Sequence, residues 1–131
     1  RHSMRMFTEV GRRVLPHTTG VGKALLADLP EEQVRALLAR TGMRPRRSGR
    51  SPRRTRSYGA LRTVRERGYA VDDNEQEIGV RCIAVRVPDS PTATAISISG
   101  PAGRVTEHST ERFAPILRAV AGDLSAALAG P

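Results

Sequence analysis

The sequence has no tryptophan, two phenylalanines and two tyrosines in 131 residues, an aromatic content of 3%. A core must then be built from Leu, Val, Ile and Ala, and the aromatic platforms on which single-stranded bases stack are scarce. The single cysteine, Cys82, excludes an intrachain disulfide framework and fits a reducing compartment. No apolar run approaches the roughly 20 residues that cross a bilayer. The opening "RHSMRMFTEVGRR" has no apolar centre of the kind a secretory signal needs. The expectation is a soluble, cytoplasmic protein with no membrane partner. His2, His17 and His108 stand apart from one another, and "DDNEQE" lacks the glycine and ligand spacing of a calcium loop, so no metal or cofactor is expected. Nor can a nucleophile, base and orienting group be assembled, which argues against an enzyme.

What is present is a globular composition, 38% hydrophobic, at a length that suits one domain. The net charge is +9, and a large part of it lies between Arg44 and Arg56 in "RPRRSGRSPRRTR". Arg, Ser, Pro and Gly together read first as a solvated loop. A phosphate-contacting surface is the alternative, which would make the chain a nucleic-acid-binding module.

Along the chain, "MRMFTEVGRRVL" from Met4 supplies a strand broken near Gly11. "PHTTGVGKALLADL" reads as a helix capped by Thr18 or Thr19. Pro30 opens a second helix with Glu31 and Glu32 in its first turn and arginine in its last, as the helix dipole favours. Its buried stripe is Val34, Leu37 and Leu38. A third helix, "YGALRTVRERG", is capped by Ser57 and ended by Gly68. The strand "YAVDD", a polar turn and the strand "IGVRCIAVRV" form a hairpin. "PDSPT" turns the chain into a third strand, "ATAISIS". A long helix follows from about Thr110 to Leu128, with Phe113, Ile116, Leu117, Val120, Leu124 and Leu128 on one face and Pro115 in its first turn. Strands flanked by helices at both ends predict an α+β domain with an antiparallel sheet.

Side chains alternate faces along a strand. Ile83, Val85 and Val87 then share one face with Ile96 and Ile98, which suits packing on the last helix. Val80, Cys82 and Ala84 share the other with Ala95, Ser97 and Ser99. Parity leaves two readings of that second face open. Ser97 and Ser99 simply face water and Cys82 packs as a small hydrophobe, or the face lines a pocket with hydroxyl donors.

"TGVGKALL" places glycines and a lysine at a helix start. A phosphate-binding P-loop needs a glycine where His17 stands and a hydroxyl where Ala24 stands, so that motif is excluded. The backbone N–H groups of Gly20 and Val21 remain suited to a carboxylate.

The ordered segments "LPHTTGVGKALLADLPEE", "RERGYAVDDNEQEIGVRCIAVRV" and "AISISGPAGRVT" closely resemble the effector-binding domain of IclR-family bacterial transcription regulators, over about Met4 to Leu128. The resemblance implies a GAF-like fold, with a central antiparallel sheet flanked by helices and a ligand pocket on one face. It implies that residues 1–131 form the sensor domain for a small-molecule effector, an organic acid or related metabolite. Operator DNA would be bound through a separate N-terminal winged helix-turn-helix, for which there is no room ahead of Met4. It further implies a homodimer or homotetramer. Residue by residue, Gly20 and Val21 match the helix start that receives a ligand carboxylate. Asp72 matches the first acid of an Asp-Asp-Glu-Glu stretch, Val80 and Cys82 a leucine-arginine-cysteine segment, and Ser97 and Ser99 the serines before Gly100. Met6 matches an apolar wall position. Asn74 departs from the usual acid, and the loop from Arg44 to Arg56 is far more basic than the family's threonine-rich one.

Overall fold

A computed structural model describes residues 10–11, 13, 16, 19–41, 54–73 and 78–130, the side chains of 41 and 54–59 excepted. Met6, Asn74, most of the first expected strand and residues 42–53 of the arginine-rich stretch lie outside that set. The chain forms α1 (Gly20–Ala27), α2 (Glu31–Thr41), α3 (Arg54–Arg67), β1 (Ala70–Asp73), β2 (Val80–Arg86), β3 (Ala95–Pro101) and α4 (Glu107–Ala129). The three described strands pair antiparallel in the order β1-β2-β3, so the fold is α+β as the sequence predicts.

Several boundaries have a local cause. The Thr19 side chain caps α1 by accepting from Gly22 N–H at 3.0 Å. Gly68 stops α3 at φ +83, a conformation that costs glycine little. Its N–H closes the final turn on the Val64 carbonyl. Gly79, at φ +82, re-enters the sheet ahead of β2, so Ile78 falls in the turn and is exposed rather than in a strand.

Other boundaries differ from the sequence reading. Ser57 lies within α3, which starts at Arg54, and does not cap it. α4 starts at Glu107, because Thr106 and Ser109 form a reciprocal capping box: Thr106 N–H donates to Ser109 Oγ at 2.6 Å, and Ser109 N–H donates to Thr106 Oγ1 at 3.1 Å. Pro115 is therefore inside the helix and not in its first turn.

The register confirms the parity argument. Cys82 pairs with Asp72 on one side and Ser99 on the other; Ala84 pairs with Ala70 and Ser97. The bulky face, Ile83, Val85 and Val87, packs against Ala114, Leu117 and Ala121 of α4. Across the sheet, Ala70 and Ala84 meet Ala24 and Ala27 of α1, with Val64 of α3. A third cluster joins Leu26 to Val34 and Leu38 of α2. The small residues thus let α1 lie close on part of the sheet, while the same face continues past the helix's N-terminus.

Candidate functional site

That continuation is where the predicted site residues meet. The register lines up Asp72, Cys82 and Ser99 as one row across the three strands, with Ser97 in the next row beside Ala84. In antiparallel sheets such neighbours are about 5 Å apart, so one compact ligand can touch all three strands. The N-terminus of α1 comes down onto this row. A methyl group on Gly20 would sit 3.1 Å from Cys82 Sγ and 3.4 Å from Ala84 Cβ, so the first turn of the helix rests on the thiol. With Thr19 Oγ1 occupied by Gly22, the N–H groups of Gly20 and Val21 are the ones that a helix start leaves without intrahelical partners. Asp72 and Cys82 are buried, whereas Ser97 and Ser99 are exposed. Val80 is buried next to Pro101 at the end of the row.

Lys23 is the residue that sequence reasoning passed over. It entered only as part of a rejected phosphate loop. One turn on from Gly20, it reaches back over β1, and its Nζ donates to the Val71 carbonyl at 3.2 Å. Its charge is felt at Cys82, as is that of Asp72. An i, i+3 spacing from a helix-start glycine was the available signal.

Burial pushes the Cys82 thiol above its ordinary 9.0. Hydrogen bonding from Ser99 and Ser97 pulls the other way, Asp72 adds to the rise and Lys23 opposes it. The thiol is therefore protonated at neutral pH. A raised folded-state value favours the native state below about pH 9, and that contribution is lost as pH rises through it. Alkylation by iodoacetamide at pH 7.5 should be at least about tenfold slower in the native protein than in denaturant. Equal rates would show that the thiol is open to solvent.

Two clefts among the described residues lie elsewhere. One, of about 60 Å³, is lined by Leu26, Leu29, Val34 and Leu61 with Arg62 and Arg65. The other, of about 110 Å³, is lined by Ala24, Ala27, Val64 and Tyr69 with Arg65 and Arg86. Both are small against the 300 Å³ or more of typical ligand pockets. Two of their arginines are also committed: Arg65 donates to the carbonyls of Ala27 and Leu29 at 2.7 Å each, and Arg86 pairs with Asp28 at 3.0 Å. No group of three or more potential metal ligands gathers among the described residues, and no described helix is long and apolar enough to cross a membrane.

The family model for the C-terminal domain of bacterial IclR transcriptional regulators matches residues 1–126. The chain belongs to the IclR family. The transcriptional repressor IclR of Escherichia coli is 37% identical over 132 residues, covering 98% of this chain and 48% of that protein. The HTH-type transcriptional repressor AllR, also from Escherichia coli, is 35% identical over 127 residues, covering 95% of this chain and 47% of that protein. The chain thus spans about half the length of the curated IclR-family relatives it matches. Among solved structures, Thermotoga maritima IclR superposes with a TM-score of 0.85 at 31% identity, over 97% of this chain and 52% of that one. The inducer-binding domain of a PobR double mutant from Acinetobacter, solved with 3-hydroxybenzoic acid, gives a TM-score of 0.83 at 25% identity, over 95% and 74%. The curated IclR-family relatives are repressors rather than enzymes, in keeping with the regulator reading of the sequence.

Proposed function

We propose that this domain senses a small organic acid, holding it between the N-terminus of α1 and the Asp72–Cys82–Ser99 row. The observation that supports this most directly is the register that brings a buried acid, a thiol and a hydroxyl into one line beneath a helix start. The helix's Gly20 and Val21 amides, Ser97 and Ser99 take the carboxylate. Cys82 and Val80 shape the wall, with Met6 as a further apolar contact. Asp72 accepts from a ligand hydroxyl or second polar group. Lys23 supplies the positive charge that lets an anion sit near Asp72. A carboxylic acid bound by the fold neighbour PobR is consistent with this chemistry.

In a full regulator, the effector would bind one arrangement of a dimer or tetramer better than another and so shift operator affinity through a separate DNA-binding domain. Thermal unfolding against a panel of 2-oxo acids, dicarboxylates and aromatic acids tests the binding claim. A specific ligand at a hundredfold excess over its dissociation constant should stabilise the domain by about 2.7 kcal/mol. In the Ser97→Val/Ser99→Val variant that stabilisation should vanish while the ligand-free melting temperature stays within a few degrees, because both positions are exposed. A ligand that stabilises both proteins equally would remove the serines from the site.

A further inference from the structure

The positive charge of the chain is concentrated in one stretch that the effector site does not use. Of 22 basic and 13 acidic residues, eleven arginines and one glutamate lie between Arg40 and Arg67, a net +10. The other 11 basic and 12 acidic residues leave the rest of the molecule at −1. α3 brings this charge into the described fold. Leu61 and Val64 turn inward onto α1, so Arg62, Thr63, Arg65, Glu66 and Arg67 are left exposed on the outer side. Across a small cleft stands Glu31 of α2, which Arg35 already holds at 2.6 Å. The Glu31 carboxyl is kept below its ordinary 4.5, mainly by the Arg35 hydrogen bond and charge and further by the charges of Arg62 and Arg65. One acid thus faces three arginines. Arg65 donates to the Ala27 and Leu29 carbonyls and Arg67 to the Tyr69 carbonyl at 2.8 Å, but neutral carbonyls leave both charges uncancelled.

We propose that the outer side of α3 is a docking surface for the phosphate backbone of duplex DNA, a sequence-independent contact separate from any DNA-binding domain. Arg62 to Arg67 cover about 7.5 Å of helix axis, a length over which a duplex carries about four phosphates. Guanidinium groups meet phosphate oxygens with paired donors, which suits a surface whose cations are all arginine. The same residues disfavour other partners. Protein interfaces are anchored by apolar and aromatic side chains, and a membrane-surface helix inserts them. α3 turns its described apolar residues, Leu61 and Val64, to the core and exposes only Ala60 beside the charges. Single strands need open rings to stack on. Tyr69, the ring that follows α3, is half-buried with the Arg67 guanidinium 4.3 Å from its centre. The surface does not depend on the effector reading. It meets α1 at the C-terminal end, where Arg65 holds the Ala27 carbonyl, whereas the effector row lies beneath the N-terminal end.

Fluorescence anisotropy of a labelled duplex of about 20 base pairs and arbitrary sequence, titrated with the chain in about 50 to 200 mM NaCl, tests this. The dissociation constant should be about 1–10 µM at the lowest salt and rise at least about sixtyfold at the highest, a log–log slope of about −3 or steeper. R62Q/R67Q should weaken low-salt binding at least about tenfold and make the slope shallower by about 2, since each phosphate contact contributes about 0.9. R104Q/R112Q removes the same charge from the α4 side of the molecule and should stay within about threefold of wild type with an unchanged slope. Both variants should melt within a few degrees of wild type, because all four side chains are exposed. No binding at low salt, a slope shallower than about −1, indifference to R62Q/R67Q, or equal losses in the two variants each overturn the proposal. So does tighter low-salt binding to a single strand of the same length, or to vesicles containing about one-third phosphatidylserine, than to the duplex.

Discussion

Gly22→Ala should lower stability by about 3 kcal/mol, at the high end for overpacking, and the melting temperature by about 12 °C. The added methyl would lie 2.1 Å from the Pro16 carbonyl oxygen, 2.4 Å from its Cα and 2.6 Å from its carbonyl carbon. All three are backbone atoms, so no side chain can rotate out of the way. The helix would have to move instead, and its other side is already against the sheet, where Gly20 rests on Cys82. α1 is held between two surfaces, with a glycine at each contact. Any shift also displaces the Gly20 and Val21 amides, so effector binding should fall with stability. Gly122→Ala is the control. Nothing lies within 4 Å of a methyl there, and in mid-helix alanine is better than glycine by up to about 1 kcal/mol, so that variant should be more stable than wild type. If Gly22→Ala melts within a degree or two of wild type, the close packing of α1 on Pro16 is wrong.

The glycines of "TGVGKALL" show where sequence reading stops. Spacing identified a helix start and excluded a P-loop, but the close approach that Gly22 permits is a long-range contact with no local signature. The sheet was easier to read, because strand alternation has a period of two and a one-residue slip would have put Ile83 and Val85 on the wrong face. Asp72, Cys82 and Ser99 therefore fall in one row as soon as the hairpin register is right. Met6 lies outside the described residues, so its part in the site rests on resemblance alone, and the arginines between 44 and 53, where the sequence departs from the family, lie outside them too. α4 was misread for a packing reason. The sequence pattern puts Phe113, Ile116, Leu117, Val120, Leu124 and Leu128 on one face. Leu117 is buried in the cluster there, with Phe113 and Leu124 packed against it. Ile83, Val85 and Val87 already fill the space beneath the helix, however, and the other positions over them are the small Ala114 and Ala121, so Leu128 is exposed. Ile116 and Val120 are turned outward as a result. Its start was misread for a chemical reason: the box residue at its third position is Ser109, where a Glu or Gln is the usual signal.

Arg81, between two proposed pocket residues, is the structural exception in that segment, and Arg81→Met should cost about 3 kcal/mol in denaturant unfolding. Alternation sends it away from Val80 and Cys82, toward the connection between β3 and α4. Its Nη1 donates to the Val105 carbonyl at 2.7 Å and the Ala102 carbonyl at 3.2 Å, and its Nη2 reaches Asp73 at 3.1 Å. The side chain is only 15% exposed, while Asp73 is 52% exposed. Those values decide which bond matters. An exposed carboxylate regains water when its partner leaves, so the Asp73 pair is worth at most about 1 kcal/mol. The Val105 and Ala102 carbonyls, next to the buried Val105 side chain, lose a charged donor that methionine cannot replace. Asp73→Asn should accordingly cost less than about 1 kcal/mol while Arg81→Met costs several times more. Equal losses from the two variants would move the energy into the ion pair and leave the β3–α4 connection held by its own turn, through the bonds from Arg104 and Val105 N–H to the Pro101 carbonyl.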